Sequence, residues 1–144
     1  MRCAGYATGW IGALLCLSAC TASCAQSTIP SGDALTAGEW GGVGIIMDVG
    51  PNGATFDFGC DAGVVASRIA LDASSHFSVA GTYSFGRGGP RSLTDLAVVA
   101  HPARFDGRLQ GTILQLQVVV SDLSRTIGDF ELQRGRRAVL ERCS

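Results

Sequence analysis

Two stretches decide the fold: Ala103-Arg104-Phe105-Asp106-Gly107-Arg108-Leu109 and Leu114-Gln115-Leu116-Gln117-Val118. In both, apolar and polar residues take turns with a period of two. A strand sends successive side chains to opposite faces, so this alternation marks a half-buried antiparallel strand, apolar on one face and polar on the other. Working outward, Thr55-Phe56-Asp57-Phe58-Gly59-Cys60 places Phe56, Phe58 and Cys60 on one face. Phe77, Val79, Gly81 and Tyr83 repeat the pattern against Ser78, Ala80, Thr82 and Ser84, and Gly128-Asp129-Phe130-Glu131-Leu132-Gln133 extends it again.

The punctuation between these runs agrees. Gly50-Pro51-Asn52-Gly53 is a hairpin signal, and Asp72-Ala73-Ser74-Ser75 and Arg134-Gly135-Arg136 read as turns. The pattern predicts about eight strands, over 41–49, 54–60, 64–71, 76–84, 97–105, 107–111, 113–120 and 127–133, with a closing segment 138–143. Because the boundary near Gly107 and Gly111 is poorly marked, the nine segments reduce to eight bent strands. Residues 92–100 fit one turn of helix, and no longer helix is indicated. The fold expected is all-β: a small antiparallel, eight-stranded, up-and-down barrel, with a sandwich as the alternative. Glycines inside strands, Gly81, Gly107 and Gly111, suit the bends that barrel closure needs.

The N-terminus carries an address. Met1-Arg2 is followed by an apolar run from Trp10 to Leu17 and then by small residues, which is the arrangement of a secretion signal. The run is too short, and too interrupted by Gly5, Gly9 and Gly12, for a membrane span. Leu17-Ser18-Ala19-Cys20 resembles the lipobox of bacterial lipoproteins, in which the cysteine thiol takes a diacylglycerol. That resemblance implies a leader over 1–19, lipidation (palmitate included) at Cys20, and a membrane partner reached through the N-terminal lipid. The competing reading is ordinary cleavage after Ser23-Cys24-Ala25, which would leave a soluble secreted or periplasmic chain. The lipobox is preferred because it abuts the apolar run. Residues 20–37, small and polar with Pro30 and Gly32, form a flexible tether, and 38–144 form the β domain.

Of the six cysteines, Cys3, Cys16, Cys20 and Cys24 lie in or beside the leader. Cys60 and Cys143 remain in the folded part, and an oxidising compartment makes one bridge between them the expectation. Two reduced buried thiols are the alternative. Closing so long a loop stabilises by roughly 4 kcal/mol in the chain-entropy picture.

Composition excludes several functions. The 11 basic residues, all arginine, nearly balance 12 acids, so neither a nucleic-acid footprint nor an acidic tail is present. Arg134, Arg136, Arg137 and Arg142 read as a solvated hairpin before they read as an anion patch. There is no Gly-x-Ser-x-Gly elbow and no zinc spacing, and the glycines of Gly86-Arg87-Gly88-Gly89-Pro90 lack the ending of a phosphate loop. His76 and His101 stand apart from each other beside turns. No catalytic residue, cofactor or metal is therefore expected, and the chain reads as a non-enzyme.

Two functional readings lead, and a third, a small hydrolase using His101 or His76 with an acid, ranks well behind them. In the first, the barrel holds a small apolar ligand between Trp40, Phe58, Phe77, Tyr83, Phe105 and Phe130. In the second, the same rings fill a solid core. The chain is then a structural or interaction protein of the cell envelope that meets protein partners through the 85–95 loop. Gly38-Glu39-Trp40 resembles the Gly-x-Trp opening of the lipocalin and calycin barrels. There the tryptophan closes the barrel floor against an arginine, a role open here to Arg142, Arg134, Arg136 or Arg137. Trp40-Gly41-Gly42, the run Phe56 to Gly63, Gly81-Thr82-Tyr83, Gly88-Gly89-Pro90 and Gly128 to Leu132 with Cys143 resemble a group of small, uncharacterised exported bacterial proteins. That likeness implies only an exported β domain with paired cysteines.

Overall fold

The structure, a computed structural model, describes residues 32–86 and 98–141. Eight antiparallel strands close in chain order into an up-and-down barrel: β1 (Gly38–Gly42), β2 (Ile45–Gly50), β3 (Gly53–Asp57), β4 (Ala62–Val65), β5 (His76–Ser84), β6 (Ala100–Gln110), β7 (Ile113–Val120) and β8 (Arg125–Arg134). Strand β8 returns to β1 through Trp40↔Arg134, Gly41↔Gln133 and Gly42↔Leu132, which removes the free sheet edges. The described residues contain no helix.

Several expected boundaries move, each for a local reason. The segment read as one strand over 41–49 is two, because the chain reverses at Val43-Gly44, with Gly44 at φ +76°. The strand expected over 64–71 ends at Val65; Ile69 and Leu71 alternate because they plug the barrel, not because they pair in its wall. Residues 107–111 are not a separate strand, since β6 runs unbroken through Gly107. The closing segment expected over 138–143 contributes, in its described part 138–141, a single parallel bridge, Val43↔Val139. The last of the expected helical turn, 98–100, is not helical, and the rest of that turn falls outside the described residues.

One end, the floor, is sealed from below. Segment 33–35 lies along 69–71, with the Leu35 amide donating to the Ile69 carbonyl and the Leu71 amide to the Asp33 carbonyl. Leu35, Ile69, Leu71 and Trp40 are all buried there. Trp40 donates its indole N–H to the Thr36 carbonyl at 3.0 Å, and Arg134 is its partner across the seam. The Asp72 turn beside it forms as its sequence suggests. The Asp72 carboxylate accepts from the Ser74 amide and hydroxyl and from the His76 amide, while Ser75 takes φ +60°. Those bonds, the His76 amide first and the Ser74 hydroxyl next, hold the carboxyl below its ordinary pKa.

The interior is filled by rings laid over glycines. A Cβ on Gly107 would lie 2.2 Å from the Phe77 ring. One on Gly81 would lie 2.9 Å from the Phe105 ring, and one on Gly63 3.1 Å from it. Phe105 stacks on Phe56 with centroids 4.4 Å apart, and both residues are buried. The outward face of β6 to β8 is largely polar: Arg104, Asp106, Arg108, Gln115, Gln117 and Glu131 all point away from this core. A barrel that crosses a bilayer with its strands needs the opposite arrangement, an apolar outer band.

Candidate functional site

The end opposite the floor, the mouth, gathers the chemistry of the molecule. Strands β5 and β6 bring Tyr83 and His101 into direct register on the inward face. The turn between β3 and β4 supplies Phe58 and Asp61, the start of the 85–99 connection supplies Phe85, and the turn between β7 and β8 supplies Asp122, with Arg125 following it. Inward alternation on two paired strands, together with three connections at the same end, therefore delivers aromatic and ionisable groups to one rim.

Two hydrogen-bonded pairs organise it. The Tyr83 hydroxyl donates to Asp61 Oδ2 at 2.6 Å, and the second carboxylate oxygen of Asp61 accepts from the Gly86 amide at 2.8 Å. Burial of the phenol, reinforced by the Asp61 carboxylate, pushes the Tyr83 pKa well above its ordinary value. On the other side, His101 Nδ1 lies 2.7 Å from Asp122 Oδ2, which fixes the imidazole ring and leaves Nε2 as its remaining polar atom. Phe85 sits between them, edge-on to Tyr83 at 5.0 Å and to His101 at 5.4 Å, with the Arg125 guanidinium 5.3 Å above its ring. Asp61 and Phe85 together pin the point where the chain leaves β5.

Of the six aromatic residues expected to line a ligand site, four join with Phe56 in a continuous ladder. It runs from Phe105 through Phe56 and Phe58 to Tyr83 and Phe130, with Phe58 5.2 Å from Tyr83 and 5.4 Å from Phe130. Trp40 and Phe77 stand elsewhere, Trp40 in the floor and Phe77 against Gly107. Phe58 and Phe130 are the half-buried members; Trp40, Phe77, Tyr83 and Phe105 are buried. Asp122 and Arg125, which residue patterning had not singled out, belong to the site. The signal that could have found them is the turn residues of Ser121-Asp122-Leu123-Ser124, which set the hairpin returning beside His101. His76 makes a looser approach to Asp72, 3.8 Å, at the floor end, so the two histidines do not meet.

Around the mouth stand exposed aliphatic side chains. Val43, Val98, Val99, Leu123 and Val139 are each at least 50% exposed. Val139 reaches the rim because the chain after β8 doubles back along the outside of β1. The Val139 amide donates to the Gly42 carbonyl and its carbonyl accepts from the Gly44 amide. This strap needs glycine beneath it, since a Cβ on Gly41 would lie 2.0 Å from the Arg136 carbonyl oxygen and one on Gly59 2.3 Å from that of Glu141. Residues 1–31, Arg142, Cys143 and most of the 85–95 loop lie outside the described residues, and with them Cys20 and one end of the expected bridge. Among the described residues no cluster of three metal-ligating side chains occurs.

Comparison with known proteins finds no matching family model, no matching curated sequence and no matching solved structure.

Proposed function

We propose that this chain is an exported, lipid-anchored barrel that serves as an interaction protein of the cell envelope, meeting protein partners at its mouth. The observation that carries the reading is the filled interior. Phe77 and Phe105 occupy the space above Gly107, Gly63 and Gly81, so an apolar ligand between Trp40, Phe77 and Phe105 would have to displace rings packed on main chain. Function then moves to the surface, where five exposed aliphatic side chains gather at one end. Exposed apolar groups gathered in this way mark protein contacts.

Export, lipidation at Cys20 and the Cys60–Cys143 bridge belong to the same proposal. The bridge draws support from the strap, whose Glu141 main chain lies against Gly59, the residue before Cys60. Release by cleavage near Ala25 would leave the mouth unchanged and alter only where it works.

A photocrosslinker placed at Leu123 in intact cells should give one discrete protein adduct. The same group at Ser78 on the outer wall should give none, and Val43→Arg with Val139→Arg should abolish the adduct while the circular dichroism spectrum is retained. Equal adducts from both positions would sink the reading. So would a stoichiometric apolar ligand in a native mass spectrum of the purified chain, which would restore the carrier reading.

A further inference from the structure

Away from the mouth, the outer wall of β6, β7 and β8 carries a depression of about 430 Å³. Register explains its shape. Asp106, Gln117 and Asp129 are cross-strand neighbours and form one wall; Arg108, Gln115 and Glu131 form the other. Between them lies the row Gly107, Leu116 and Phe130, whose side chains point inward, so the trough is floored by main chain. The two walls stand two residues apart along each strand, roughly 6.6 Å, and the trough runs across the strands toward His76, the neighbour of Arg108 on β5.

We propose that this trough binds a neutral, hydroxyl-rich chain: an oligosaccharide. Its six wall side chains all end in planar polar groups, three carboxylates, two amides and one guanidinium. Carboxylates accept, the guanidinium donates, and amides do both, which matches adjacent sugar hydroxyls that donate and accept in pairs. Charge selects against the other polar ligands. Carboxylates outnumber guanidinium groups even with Arg104 counted, so phosphates and acidic chains are repelled. Asp106 is already paired with the Arg104 guanidinium at 2.7 Å, while Asp129 accepts from the neutral Gln117 amide at 2.8 Å. Three carboxylates against Arg104 and Arg108 leave one net negative charge, too little to select a polycationic peptide. Those two bonds also fix one wall before any ligand arrives, lowering the ordering cost of binding. The volume lies within the range of small-molecule sites. Elsewhere the outward face of β5 carries Ser78, Ala80, Thr82 and Ser84, too short to build such walls.

The test uses the chain beginning at Gln26, as ordinary leader cleavage would release it, labelled with ¹⁵N. Chitohexaose, cellohexaose and maltohexaose are titrated in turn, with polygalacturonate and oligolysine as charged comparators. At least one neutral hexasaccharide should shift the side-chain amide signals of Gln115 and Gln117. Gln117→Ala and Glu131→Ala, both exposed and outside the core, should each weaken that binding at least fivefold with the rest of the spectrum unmoved. Shifts in those amides with none of the three neutral sugars, shifts only with a charged polymer, or equal binding by both variants would each overturn the proposal. Because no mouth residue is involved, loss of the Leu123 adduct leaves this result untouched, and the two readings fail separately.

Discussion

Gly107→Ala adds one methyl group to the inside of β6, and its cost measures whether the barrel is solid. The new carbon would lie 2.2 Å from two atoms of the Phe77 ring, a ring only 3% exposed, so the ring must leave its place or the strands must part. Overpacking of this kind costs about 1–3 kcal/mol. In a domain of this size each kcal/mol lowers Tm by about 4–8 °C, so a loss of roughly 4–24 °C is expected. Urea unfolding should show the same loss as a lower midpoint at unchanged m. The decisive comparison is a double-mutant cycle. Phe77→Ala alone should cost about 3–5 kcal/mol. In the double variant the methyl occupies space the ring has vacated, so the two losses should fall short of additivity by about 1–3 kcal/mol. Gly111→Ala is the control: it has φ +62° and nothing within 4 Å, so it carries backbone strain without coupling to Phe77. A neutral Gly107→Ala, or additivity within about 0.5 kcal/mol, would refute the filled interior and reopen the carrier reading.

Two further outcomes follow from the mouth and the strap. Tyr83 is the sole tyrosine of the chain beginning at Gln26, so phenolate absorbance of that chain reports it alone. Its pKa is raised in the folded state, so its contribution to stability is complete below the unfolded value near pH 10 and is lost as pH rises through the folded value. Phenolate absorbance should therefore appear only as the barrel unfolds, and Tyr83→Phe should flatten the fall in the urea midpoint above about pH 10. Gly41→Val should lift the strap off β1, speeding reduction of the proposed Cys60–Cys143 bridge by dithiothreitol; an unchanged rate would count against a strap seated on Gly41 that shields such a bridge.

How much of this was legible in the sequence depended on whether a residue's role was set by its strand or by distant strands. Strand β7 and strand β5 are readable to the residue, because Leu114, Leu116, Val118 and Val120, and Phe77, Val79, Gly81 and Tyr83, keep the inward period of two. Reading failed where alternation had another cause. Ile69 and Leu71 alternate like a strand yet belong to the floor plug. Gly107 looked like a break because glycine weakens strands, whereas here it admits a ring. Trp40-Gly41-Gly42-Val43-Gly44 offers no alternation at all, which hid the reversal between β1 and β2. At the mouth, the turn residues Ser121 to Ser124 mark a hairpin, but that it brings Asp122 to His101 follows only from the pairing of β6 with β7.

An eight-stranded barrel is near the size at which side chains either fill the inside or leave room for one small ligand. Complementarity between rings and glycines decides which, and it can be reversed by one substitution. Phe105 is fully buried, stacked on Phe56 and flanked by Gly63 and Gly81, two positions with no side chain to swing into a vacated space. Phe105→Ala should therefore leave a persistent apolar cavity, with a loss of about 3–5 kcal/mol, instead of a collapsed wall. Such cavities stay dry and bind small apolar molecules. Benzene or indole at ten times its Kd should restore about 1.4 kcal/mol to the variant and nothing to the parent chain, read as a rise in Tm. If the parent responds as strongly as Phe105→Ala, room for a ligand already exists and the surface loses its claim to be where this protein works. A response confined to the variant means that Phe105, set against two glycines, is what separates this barrel from a container.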